Sequence, residues 1–100
     1  MRMKDKIINA AIQVLPSSSK KHPYSIVDTA ISVIKESGLT YRVCPFETVV
    51  EGRYEDVMTL VERIHEGCYN DSAESMLVYV KIQSKAIGDV SIGDKMDKYS

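Results

Sequence analysis

Apolar residues recur along this chain in two rhythms, one of period two and one of period three to four. "IINAAIQVL" (Ile7 to Leu15) alternates, with Ala10, Ile12 and Val14 on one face and Asn9, Ala11 and Gln13 on the other. That pattern predicts a strand with one apolar and one mixed face, ended by Pro16. "SSSKKHP" is polar and reads as a loop. In "YSIVDTAISVIKESG" the apolar residues Ile26, Val27, Ala30, Ile31 and Ile34 form one helical stripe. Ser25 followed by Asp28 resembles a capping box, and Gly38 stands where the helix should stop. Leu39 to Cys44 alternates again, Pro45 and Phe46 make a turn, and "ETVVE" returns as the next strand. A second helix follows Gly52, with Tyr54, Val57, Val61, Ile64 and Cys68 inward and Glu55, Thr59, Glu62 and Glu66 outward. "ESMLVYVKIQS" is the last strand, in which Met76, Val78, Val80 and Ile82 alternate with Leu77, Tyr79 and Lys81. The charged tail carries Ile92 and Met96 four apart and reads as a short docked helix or a frayed end.

The order is β-α-β-β-α-β plus a short C-terminal tail. Two right-handed split βαβ units predict an α+β ferredoxin-like sandwich: a four-stranded antiparallel sheet, order 4-1-3-2, with both helices on one face. Residues 1–100 then form a single domain. The uncovered sheet face carries Ala11, Val49 or Val50, Leu77 and Tyr79. It is too apolar for water, which predicts a homodimer or homotetramer through the sheet.

Composition narrows the function classes. With 13 basic and 14 acidic residues the net charge is -1, and the dispersed Lys and Arg give no footprint for nucleic acid. No apolar run approaches the roughly 20 residues that span a bilayer, so membrane insertion is not expected. The N-terminal stretch lacks a small-residue cleavage signal, and Cys44 and Cys68 are too few for a disulfide framework. A cytoplasmic protein with reduced thiols is expected.

Candidate chemistry is sparse. His65 and Cys68, three apart on one helix, supply one ligand pair where a structural zinc site needs four ligands, and Cys68 falls on the buried stripe. Neither a metal nor a cofactor is expected. Glu62 and Glu66 read as a solvated helix face. In "PFETVVEG", Thr48 and Glu51 bracket two valines. Glu51 just before a helix would gain about 0.3–1 kcal/mol from the helix dipole as an ordinary strand end.

The chain also resembles the small thiamine-binding proteins of the YkoF/MTH1187-like family, once catalogued as a domain of unknown function. The resemblance covers nearly the whole chain. It runs through "QVLP", "IVDTAISVIKESGLTY", "CPFETVVEG", "VERIHE" and "VKIQSK". Its most specific element is Pro-x-x-Thr-hydrophobic-hydrophobic-Glu-Gly, met by Pro45, Thr48, Val49, Val50, Glu51 and Gly52. It implies a ferredoxin-like oligomer that binds thiamine or its hydroxymethylpyrimidine part without transforming it, in vitamin B1 salvage or transport. Many relatives have Gly where this chain has Glu47, a side chain that would narrow the pocket or alter which ligand it holds.

The resemblance points to Thr48 and Glu51 first as ligand contacts, then Phe46 and Gln13, then Ser18, with Phe46 or Tyr41 available to stack on the pyrimidine ring. In the predicted topology Gln13 and the Ser17–Ser18 loop lie near Thr48, and Asn9 lies near Glu51. A regular strand would point Thr48 and Glu51 to opposite faces. Either a bulge re-aims one of them, or one serves structure. Two rival readings are an oligomerisation or regulatory module without thiamine affinity, and an enzyme using Cys44 or His65.

Overall fold

A computed structural model describes residues 2–93. Its elements are β1 (Ile7–Ser17), α1 (Pro23–Glu36), β2 (Thr40–Val43), β3 (Thr48–Arg53), α2 (Tyr54–Asn70) and β4 (Ser75–Gln83), preceded by a 3-10 turn at Met3–Asp5. The four strands form one antiparallel sheet in the order β2-β3-β1-β4. That is the expected order 4-1-3-2 read from the other edge, and the fold is the ferredoxin-like α+β sandwich.

Two local readings are corrected. Pro16 does not end β1, which runs on to Ser17. The pairing with β3 stops at Ile12, so from Gln13 onward β1 is flanked by β4 alone, and an open strand edge tolerates a residue without an N–H. The cap of α1 is His22, not Ser25. The His22 Nδ1 accepts from the Tyr24 N–H at 3.2 Å, and Pro23 supplies a preset φ at the first helical position. At the other end the helix closes on Ser37, and Gly38 takes φ +78°, the left-handed conformation that glycine adopts without a Cβ clash.

The core lies between the sheet and the two helices. Ile8, Ala10 and Ile12 of β1 and Val50 of β3 meet Ile26, Ala30 and Ile34 of α1 and Val57, Leu60, Ile64 and Cys68 of α2. Each is 2% exposed or less. Removing an Ile, Leu or Val side chain of this kind from water contributes about 1.5–3 kcal/mol. Leu60 sits at the centre of the α2 stripe, while Tyr54 and Val61 are only partly buried beside it. Gly52 also points into this layer, opposite Ile8. A Cβ there would come within 2.9 Å of the Leu39 side chain, so the motif's glycine admits Leu39 to the core.

Alternation sends the remaining strand residues to the face opposite α1 and α2. Of the two valines, Val50 is in the core and Val49 is on this open face. After β4 the chain turns back past the start of β1. The Lys6 Nζ donates to the carbonyls of Ala86 and Gly88 at 3.0 and 3.1 Å, the Ile7 N–H donates to the Asp89 carboxylate at 3.0 Å, and the Val90 N–H donates to the Ile7 carbonyl at 3.1 Å. Val90 is buried by this return. The tail was expected to be a docked helix or a frayed end: the part up to Gly93 is docked, and Met96 lies outside the described residues.

Candidate functional site

The strand register lays the open face out in rows. One row crosses the sheet as Thr40, Glu51, Asn9 and Gln83, and the next as Arg42, Val49, Ala11 and Lys81. Over these rows lies a concavity of about 430 Å³. Ala11 and Val49 form its floor, Arg42 and Lys81 stand at its sides, and Asn9, Glu47 and Ile92 close its ends.

Asn9 is the anomaly. It is 2% exposed, and neither its amide nitrogen nor its amide oxygen has a hydrogen-bond partner among the described residues. A buried polar group left unpaired costs about 1–3 kcal/mol. The side chain therefore holds an NH2 donor group and a carbonyl acceptor, both dry, at the end of the concavity. Buried polar groups are nearly always satisfied, so such a pair of atoms points to a missing partner.

Glu51 is half-buried and not a freely solvated strand end. Its Oε1 accepts from the Ile92 N–H at 2.7 Å and so holds the returning C-terminal segment against the sheet. Ile92 is thereby placed as a wall of the concavity. Glu47 reaches over β1 to an ion pair with Lys81 at 3.1 Å. Among the described residues Arg42 has no such partner and makes no ion pair.

The residues expected to contact ligand are not all brought together. Pairing of β1 with β3 runs one to one from Ile12–Thr48 to Ile7–Arg53, without a bulge. Thr48 thus faces the helices, 6% exposed, and Glu51 faces the other way. Gln13 is on the open face one row beyond the concavity, opposite Tyr79 and beside Glu47 and Lys81. Phe46 is 82% exposed at the hairpin tip, and with Thr48 and Gln13 it lines a separate cleft between the hairpin, β1 and α1, so three of the expected contacts do meet there. Tyr41 sits opposite Val50 and is not among the residues of the concavity. In the loop after β1, the Ser18 Oγ accepts from the N–H groups of Lys20 and Lys21 at 3.1 and 3.3 Å, a local turn. Arg42 and Lys81 escaped the sequence reading because single charges on strands carry no motif. Asn9 left a signal: it is the polar residue inside the apolar run Ile7 to Ile12.

The thiols and histidines do not form a reactive set. Burial, with the charge of Asp71 adding to it, pushes the Cys68 thiol up, away from the thiolate form. The Nδ1 of His65 is 2.9 Å from the Val61 carbonyl within α2. Among the described residues no three His, Cys, Asp or Glu side chains converge as metal ligands.

A sequence model of the family described as thiamine-binding protein matches residues 10–100. A UPF0045 protein of Clostridium perfringens is 34% identical over 91 residues, covering 91% of this chain and 95% of its own. Among solved structures, the domain of unknown function DUF77 from Bacillus cereus superposes with a TM-score of 0.92 at 30% identity, over 100% of this chain and 96% of the other. A Thermotoga maritima protein with a suggested role in thiamine biosynthesis or salvage gives a TM-score of 0.85 at 29% identity, over 94% of this chain and 99% of its own.

The role of Glu51 is open to direct measurement. Glu51→Ala removes the acceptor for the Ile92 N–H, a charge-assisted bond of about 1.5–3 kcal/mol. Amide hydrogen exchange at Ile92 should accelerate roughly ten- to a hundredfold while the amides of α1 and α2 keep their protection. Unchanged exchange at Ile92 would show that the segment is held by other contacts.

Proposed function

This chain belongs to the thiamine-binding protein family, and from that premise we propose that it binds thiamine or its hydroxymethylpyrimidine moiety, without transforming it, in cytoplasmic vitamin B1 salvage or transport. The observation that carries the reading is the dry, unpartnered amide of Asn9 in the open-face concavity. An aminopyrimidine presents an exocyclic amine donor beside a ring-nitrogen acceptor. A carboxamide presents the complementary pair, a carbonyl acceptor beside an NH2 donor. Once the Asn9 side chain turns toward the concavity, two parallel hydrogen bonds satisfy both partners at once, and the ring then lies over Ala11 and Val49 with Ile92 at its edge. The volume of about 430 Å³ suits a ligand of this size.

The chemistry of the walls supports a reading without turnover. A nucleophile–base pair is needed for acyl or glycosyl-type chemistry. The described lining supplies one thiol, Cys44, whose Sγ lies 3.8 Å from the Arg42 carbonyl, and no histidine. An oligomerisation module without ligand would carry the cost of the unpaired Asn9 amide for no return, which favours the binding reading over that rival.

The open face beyond the concavity supports assembly into a homodimer or homotetramer. Leu15, Leu77 and Tyr79 are 44%, 54% and 52% exposed and lie on this one side of the sheet. Burying them against a second copy would remove an apolar patch from water. Sedimentation at micromolar concentration should show an oligomer, and a clean monomer would contradict this part of the proposal.

Asn9→Leu tests the site. The variant keeps the approximate size but loses both hydrogen bonds, each contributing about 1 kcal/mol, so affinity for thiamine and hydroxymethylpyrimidine should fall roughly ten- to a hundredfold. Stability should stay level or rise, because an unsatisfied buried amide is removed. Calorimetry and thermal unfolding read the two effects, and mass spectrometry should recover the ligand unchanged after incubation with wild type. Undiminished affinity in folded Asn9→Leu would place the site elsewhere.

A further inference from the structure

We infer that the concavity favours a phosphate monoester of the hydroxymethylpyrimidine over the free alcohol and over the thiamine cation, with Arg42 as the phosphate-binding side chain. This rests on the reading that Asn9 holds the aminopyrimidine edge. The charges along the walls carry it. Two cations, Arg42 and Lys81, and one anion, Glu47, line the concavity. Glu47 and Lys81 neutralise each other at 3.1 Å, and the nearby Glu51 carboxylate is turned to the Ile92 N–H. Arg42 is left as the cation without an ion pair among the described residues.

The geometry matches a ligand with a pyrimidine at one end and a phosphate at the other. Arg42 lies two strands from Asn9 and one row further along, on the same face. With strands about 4.8 Å apart and about 3.3 Å per residue along them, the two Cα atoms are separated by about 12 Å. Both side chains rise roughly perpendicular from the same face of the sheet, so their polar ends stay about that far apart, a span that a substituted pyrimidine carrying a phosphate fills. The guanidinium fork then meets the phosphate oxygens with two parallel charge-assisted bonds. A thiazolium in the same place would put a second cation beside Arg42.

The test is calorimetry of the full chain with four probes: hydroxymethylpyrimidine, its phosphate monoester, thiamine and inorganic phosphate. The ester should bind at least about tenfold more tightly than the alcohol, since bonds to a charged group are the stronger class. In Arg42→Gln the ester-to-alcohol ratio should fall to within about twofold of one, and Arg42→Lys should keep part of the preference because the charge remains. Inorganic phosphate should bind weakly, lacking the Asn9 contact. Equal affinity for ester and alcohol in wild type, or a preference that survives Arg42→Gln, would overturn the assignment while leaving the pyrimidine reading intact. Failure of all three pyrimidine ligands to bind would overturn both.

Discussion

The unbroken pairing of β1 with β3 is the constraint on which the rest depends. Because side chains alternate, one uninterrupted register decides what each residue of the Thr48 to Gly52 stretch does. Thr48, Val50 and Gly52 go to the helix layer, where they fill the core or, at Gly52, make room for Leu39. Val49 and Glu51 go to the open face, one as floor and one as anchor. A slip of one residue would put a carboxylate into the core and a core valine onto the floor. The same register brings Asn9 beside Glu51 and Ala11 beside Val49, so strand pairing sets the floor of the concavity, while the hairpin residue Glu47 and the returning Ile92 close its ends.

On that frame the site is built from small departures from a stable sheet. The core side is apolar apart from Thr48 at the start of β3 and the thiol of Cys68, which donates to the Ile26 carbonyl at 3.8 Å. The open side tolerates an unsatisfied amide at Asn9. Local violations of folding rules tend to mark functional positions, where a stability cost is offset by what the group does when its partner arrives. The C-terminal return makes this violation possible: docked by Lys6, Asp89 and Glu51, it brings Ile92 to the concavity, whose Asn9 is shielded from water.

Most of the architecture was legible in the sequence, because each element shows its period. The two helical stripes and four alternating runs lead to the observed order, and the family's motif was readable at Pro45 to Gly52. The site was less legible, for physical reasons. Spacing shows that Thr48 and Glu51 are three apart, but whether a bulge intervenes depends on pairing across strands. The role of Glu51 is set by Ile92, 41 positions away in a tail whose apolar spacing is too short to show docking. Phe46 was expected to stack because it is the aromatic residue within the motif, and the structure places it at the hairpin tip beside the cleft against α1, away from the concavity. His22 was passed over as a cap because histidine is a rarer choice there than serine. Asn9 was visible as a polar residue in an apolar run, but only a structure shows that its amide is both buried and unpaired.

The central claim is that the Asn9 amide is the aminopyrimidine-binding group. Its side-chain NH2 resonances in a 15N-labelled protein report on this directly, because both protons are shielded from water and lack an acceptor among the described residues. On titration with thiamine or hydroxymethylpyrimidine, the Asn9 NH2 pair should shift more than any other side-chain amide, with Gln13 and Gln83 moving less. Saturation of the ligand with the Asn9 resonances unmoved would contradict the account.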